Sequence, residues 1–325
     1  MKILKTILII LLIGVLAIVG TSLLFENSSG TGGTSADKND NEENIAYPDL
    51  FCQYTKRQNL EYSDGRLKIF IKTEDGYINY NLVRTVNSSK NADIWRMSQA
   101  FWYSDDLEEN YSITNGGAEW EMAIKLSGAS DFIGGYAHGD EIMTDVIFEI
   151  DGVETDITTL VDITEFTTIK VYVNSIGYNP DNQTEEALKH YKEFTIDKHG
   201  VKLYQKVEWL NDYSIPSGNS HLAMMPPLKT LTNMCKLDNN SPYSVPPYRT
   251  WQRCKKALVY GVESGFYFEM SVPLSPFMTE QGTLFIMADN GGNNYNKMYY
   301  SVELNCNVKK GDVWEQITQW NITKK

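Results

Sequence analysis

Three times along this chain, two β-prone runs meet at a turn whose second residue is glycine. Residues 67–73 and 77–83 flank Asp75-Gly76, and residues 146–150 and 153–157 flank Asp151-Gly152. Residues 192–197 turn at His199-Gly200 into 201–209. Asp-Gly between β-rich runs is a strong hairpin signal, because glycine accepts the positive φ that two-residue hairpin turns require. Further strands are expected at 266–272, 283–288, 298–304 and 313–320, and only 184–191 reads as a short helix. Hairpin-linked strands without strand–helix alternation imply an all-β fold, a large antiparallel β-sandwich with sheets packed face to face. Aromatic residues, 12% of the chain, suit pleated strands. No Pro/Gly/Ser-rich linker interrupts residues 46–325, so a single sandwich domain is expected there.

Residues 7–25 form an uncharged, mostly apolar run directly behind Lys2 and Lys5. At about 1.5 Å per residue, a helix over that run nearly crosses a hydrocarbon core of about 30 Å. The two lysines would stay cytoplasmic, exporting the rest of the chain. The expectation is one N-terminal transmembrane helix, a signal-anchor over residues 1–25, with cleavage as a signal peptide the alternative. The small residues at 19–22 are followed by further apolar ones, which disfavours a cleavage site. Residues 26–45 carry almost no apolar side chain, so a disordered stalk is expected there. The protein is then single-pass in the cell membrane, with residues 46–325 extracytoplasmic.

The formal net charge of −13 makes the chain a poor phosphate binder, and nucleic acid is excluded as a partner. Four cysteines in an exported chain allow disulfides. Cys235 and Cys254 flank one Pro- and Asn-rich loop and form the natural local bridge, with free thiols the alternative; Cys52 and Cys306 are the other pair.

Candidate chemistry concentrates in a few strings. Residues 130–141 surround Tyr136 and His138 with glycines and end in Asp140 and Glu141. Glycines permit sharp turns or close ligand approach, histidine exchanges protons near neutral pH, and either carboxylate could orient the ring. A plain tight turn is the competing reading. Residues 216–227 place His221 after a polar loop, where it is a site residue or a hydrogen-bonded histidine at a strand end. His190 and His199 read as solvated. Residues 289–296, with Asn290 and Asn293, offer oxygen ligands for Ca²⁺ or amides for sugar hydroxyls, or form a simple hairpin loop. Arg249 and Trp251, near Tyr248 and Arg253, pair a guanidinium with a ring, a combination that grips acidic sugars or carboxylates.

His138-Gly139 and Asn219-Ser220-His221, 83 residues apart, together with the hairpin leading into residues 206–210, resemble the galactose mutarotase-like family of β-supersandwich proteins. The resemblance spans the middle third of the chain. It implies that His221 acts as general acid on a sugar ring oxygen and that His138 orients the sugar. A later glutamate would be the general base, with Glu269, Glu280 and Glu303 available. Asp140-Glu141 stand where that family carries Gly-Gly.

No Gly-x-Ser-x-Gly, His-Glu-x-x-His, phosphate-binding loop or dinucleotide fingerprint is present, which disfavours serine hydrolases, zincins, nucleotide hydrolases and dehydrogenases. Two function classes remain. One is a membrane-anchored extracytoplasmic carbohydrate-binding or carbohydrate-active protein whose partner is a glycan or polysaccharide; if an enzyme, it would be of epimerase, lyase or glycosidase type. The other is a non-catalytic surface or adhesion protein with a structural β-sandwich.

Overall fold

The computed structural model describes residues 46–56, 65–118, 120–216, 220–238, 240–245, 249–289, 293–302 and 305–325. The expected membrane anchor and stalk lie outside them. Among the described residues no helix is long and apolar enough to cross a membrane.

The principal strands are β1 (Leu50–Thr55), β2 (Gly65–Lys72), β3 (Tyr77–Asn87), β4 (Ala92–Tyr103), β5 (Glu141–Ile150), β6 (Ile169–Asn179), β7 (Asn182–Asp197) and β8 (Gly200–Trp209). They continue with β9 (His221–Met225), β10 (Met234–Leu237), β11 (Thr250–Cys254), β12 (Lys256–Tyr260), β13 (Phe266–Leu274), β14 (Thr283–Asp289), β15 (Asn296–Ser301) and β16 (Val313–Lys324). One large sheet runs from β1 through β8 in chain order, then β16, β13, β12 and β10. A four-stranded sheet, in the order β9-β15-β14-β11, forms the second layer. Pairing is antiparallel except at β4–β5, where Ala92 and Asp93 run parallel to Glu141 and Ile142. The all-β antiparallel architecture is the one that the hairpin pattern implies, and the turns at Asp75-Gly76, Asp151-Gly152 and His199-Gly200 all form.

One local expectation fails. Residues 184–191 are not a helix; they lie inside β7, paired on one side with β6 and on the other with β8. Helix-forming Glu, Ala, Leu and Lys are overridden there by pairing with β6 along the segment and, from Leu188 on, with β8 as well.

The interior face of the large sheet changes character along its strands. Phe194 and Ile196 of β7, Val201 and Leu203 of β8, and Trp320 and Ile322 of β16 join the main apolar cluster. Phe285, Met287, Met298 and Tyr300 of the small sheet meet them from the opposite layer. At the other end Leu188, Val207, Trp209 and Trp314 form a second cluster with Ile133 and Leu222. Between the two clusters, the inward positions are polar: Ser175, His190, Lys192, Gln205, Gln316 and Thr318, all buried. Strand alternation puts them there, because they keep the parity of their apolar neighbours.

Candidate functional site

The glycine-rich string at 130–141 folds as a turn locked onto the connection between β3 and β4. Gly134, Gly135 and Gly139 all have positive φ, and Asp140 is left-handed at φ 53°. A Cβ on Gly139 would lie 1.9 Å from the Lys90 carbonyl oxygen, so only glycine fits. The Asp140 amide donates to that same carbonyl (2.8 Å). His138 Nδ1 lies 2.7 Å from Asp131 Oδ1, and its ring packs 4.4 Å from that of Phe132. The carboxylate beside His138 is therefore Asp131, rather than Asp140 or Glu141. Asp140 instead accepts from Gln183 (2.8 Å) and Asn91 (3.4 Å), while burial pushes its pKa up.

Glu141 turns inward and anchors the buried polar stripe. Its Oε1 accepts from Ser175 Oγ (2.6 Å) and lies 3.0 Å from His190 Nδ1 and 3.3 Å from Lys192 Nζ. Burial raises its pKa, but the charges of Lys192 and His190 outweigh that and hold the carboxyl well below the usual range. His190, expected to be solvated, is 1% exposed. Its Nε2 lies 3.1 Å from Gln205 Oε1, and Gln205 Nε2 donates to the Leu222 carbonyl (2.6 Å). The two histidine strings are thus connected through Glu141, His190 and Gln205, with His138 on a separate side of the turn.

A second carboxylate faces the same lysine. Glu121 accepts from the Met97 amide (2.6 Å), and burial pushes its pKa up against the pull of Lys192 and Arg96. Buried Arg96 donates to Thr85 Oγ1 (3.1 Å) and to the Met97 carbonyl (3.0 Å), and its guanidinium lies 4.7 Å from the Tyr136 ring centroid. Two carboxylates are therefore driven in opposite directions inside one layer, a pattern that acid–base sites share with structural ion networks.

The face of the small sheet turned away from the main core carries the other predicted group. Trp251, Ile286, Tyr299 and Met224 are successive register partners across β11, β14, β15 and β9. Ile286, Tyr299 and Met224 are buried in a small apolar cluster with Ala118, and only Trp251, on the edge strand, is exposed. The Arg249 guanidinium lies 4.7 Å from the Trp251 ring and 5.7 Å from that of Tyr299, to which it also hydrogen-bonds. Lys297 Nζ sits 5.4 Å from the Tyr299 ring. His221, 2% exposed, has its ring 5.6 Å from Tyr299 on the inner side of this cluster. Trp251, by contrast, is 50% exposed. The structure thus brings Arg249, Trp251 and, through Tyr299, His221 together. Sequence reasoning missed Tyr299 and Lys297; their alternation on β15 with Tyr300 and Met298, which face the main core, is the signal that places them on the other face, where Tyr299 is buried against Met224 and Ile286.

The remaining predicted residues stand apart. Asn293 is exposed and Asn290 lies outside the described residues, as do Asn219 and Tyr248. The end of that Asn-rich loop is fastened as a turn, with Asn296 Nδ2 donating to Thr232 Oγ1 (3.0 Å). Among the described residues no three His, Cys, Asp or Glu side chains are grouped to hold a metal ion. The expected Cys235–Cys254 bridge is not formed. Cys235 Sγ donates to Tyr243 Oη (3.3 Å), Cys254 Sγ lies 3.5 Å from Tyr300 Oη, and burial pushes both thiols up, Cys254 to about 12.

No protein-family model and no curated protein matches the chain. Solved structures of galactose mutarotase-like proteins are similar to it over most of its length. One, from Clostridium acetobutylicum, is 9% identical, with 84% of this chain and 99% of that one covered at a TM-score of 0.43. Another, from Lactobacillus casei, is 8% identical, with 78% and 99% covered at 0.37. A putative aldose 1-epimerase from Escherichia coli K12 is 9% identical, with 79% and 99% covered at 0.37. At such identities and TM-scores, the roles of individual residues rest on the chain's own geometry.

Proposed function

We propose that this chain is a membrane-anchored, extracytoplasmic carbohydrate-binding protein that grips acidic saccharides at the exposed Trp251 edge of its small sheet. The observation that carries this reading is the half-exposed Trp251 with Arg249 stacked upon it and Lys297 beside Tyr299. An indole face packs against the C–H face of a pyranose, and a guanidinium pairs bidentately with a carboxylate. In a chain of net charge −13, cations gathered around one exposed indole favour an anionic ligand. His221 lies behind Tyr299, so a saccharide meets the ring and the guanidinium first; the reading is one of binding, not turnover. The apolar run at 7–25 supplies the anchor and 26–45 the tether.

A glycan panel that pairs uronic-acid oligosaccharides with neutral oligomers of the same length tests the ligand class. Binding confined to the acidic members is expected, and equal binding of both sets contradicts the cationic patch as the determinant. Fractionation of expressing cells tests the anchor: the protein is expected with membranes, and a soluble mature form beginning within residues 21–27 contradicts it.

A further inference from the structure

The outward face of the large sheet holds a groove that touches the buried stripe only at Ser175 and His190 and is otherwise lined by residues outside it. It is about 630 Å³ in volume and lies over β5, β6, β7 and β8, with Asn174, Lys189, Tyr191, Tyr204, Lys206 and Glu208 along its walls. That volume falls within the roughly 300–1,000 Å³ of small-ligand sites. A bulge indents its edge: Asn174 pairs with Asp145 but Ser175 with Met143, leaving Thr144 as an extra residue. Bulges bend a strand and re-aim its side chains.

The tyrosines of this face are held in fixed orientations. Tyr172 Oη donates to Glu149 (3.0 Å), Tyr191 Oη to Glu193 (3.4 Å) and Tyr204 Oη to Glu315. The Tyr191 and Tyr204 rings meet edge to face with centroids 6.1 Å apart. Both side chains are half-buried, so each ring keeps open surface. Their hydroxyls stay protonated: Tyr204 is pushed up to about 12, first by its bond to Glu315. Rings whose rotamers are already fixed lose little entropy when a ligand stacks on them.

We propose that this groove is a second saccharide site, taking a neutral oligosaccharide on the Tyr191 and Tyr204 rings. Hydroxyl groups of such a ligand find acceptors in Asp145 and Glu208 and an amide in Asn174, so rings alternate with polar partners along the wall. An acidic saccharide is disfavoured, because Lys189 is engaged with Glu208 (3.7 Å) and carboxylates border the tyrosines. The two faces therefore differ in ligand charge: acidic on the Trp251 patch, neutral in the tyrosine groove. The groove does not depend on the Trp251 reading.

The test uses the full-length chain on an array of neutral glycans, followed by calorimetry with the best binder. Saturable binding is expected, falling at least tenfold in a Tyr191→Ala/Tyr204→Ala double variant and staying within threefold in Trp251→Ala. Tyr191→Phe keeps the ring and is expected to stay within about threefold of wild type. Circular dichroism of the double variant separates lost binding from lost fold; if it is unfolded, Asn174→Ala and Lys206→Glu, both at exposed positions, carry the same expectation of weakened neutral binding. Three results overturn the proposal: no neutral glycan bound, neutral binding that survives in every groove variant, or a basic peptide captured by the groove while neutral glycans are not.

Discussion

The buried stripe around Glu141 and the exposed patch around Trp251 use similar residues to opposite ends. Both combine basic side chains with aromatic neighbours, and each includes part of a string that sequence alone singles out. In the stripe, Lys192, His190 and Ser175 converge on one carboxylate with exposures of 1–2%. Those charges are spent on one another, because a buried charge is tolerated only when paired and hydrogen-bonded. In the patch, the exposed Arg249 stacks on a ring that is half in solvent. The difference teaches that burial, more than residue type, separates a network that holds a fold from one that meets a ligand.

The largest expected effect breaks the stripe. Glu141→Gln removes the carboxylate that Lys192 is ion-paired with, leaving it to Glu121, which burial biases toward the neutral form, and should cost about 3–5 kcal/mol of unfolding free energy. Chemical denaturation measures it; a loss under about 1 kcal/mol would mean that the stripe is hydrated or dispensable.

Next is the acid side of the stability curve. Glu141 is held below its unfolded value near 4.3, so its contribution is complete above that value and is lost as pH falls towards the folded one. Glu121 is raised, so its contribution is present in acid and is lost as pH rises through its raised value. Wild-type stability should therefore fall from about pH 5 to pH 3, while the Glu141→Gln variant flattens or reverses over that window. Parallel curves for the two proteins would contradict the assignment.

Smaller effects sharpen the other side of the comparison. Arg249→Lys keeps the charge but loses the flat fork, and should weaken acidic-glycan binding about three- to tenfold with little change in midpoint. Alkylation of the denatured, unreduced protein should label four cysteines, and labelling of only two would restore a bridge.

The strands were legible because alternation and Asp-Gly turns are local signals, and β2, β3, β8 and β16 lie close to where the sequence puts them. The stripe was not legible. His190 and Lys192 look solvated when read one by one, and only their shared parity with Phe194 and Ile196 marks them as interior. The 184–191 segment misled for a related reason, since its composition favours helix and its pairing partners lie elsewhere in the chain. In the patch, Arg249 and Trp251 were visible as a ring and a guanidinium, whereas Tyr299 and Lys297 needed the register of β14 with β15. His138 drew attention through its glycines, yet Gly139 serves a close approach to the Lys90 carbonyl and Gly134 one to the Met122 carbonyl.

The most direct test titrates the full-length protein, its Trp251→Ala variant and its Glu141→Gln variant with the acidic oligosaccharide that binds best. Removing a half-exposed ring should cost at least about tenfold in affinity while shifting stability by less than about 1 kcal/mol. The folded fraction of Glu141→Gln should bind like wild type despite its lower stability. Unchanged affinity in Trp251→Ala, or affinity lost in the folded Glu141→Gln protein, would contradict the account by placing the ligand in the interior layer instead of at the Trp251 edge.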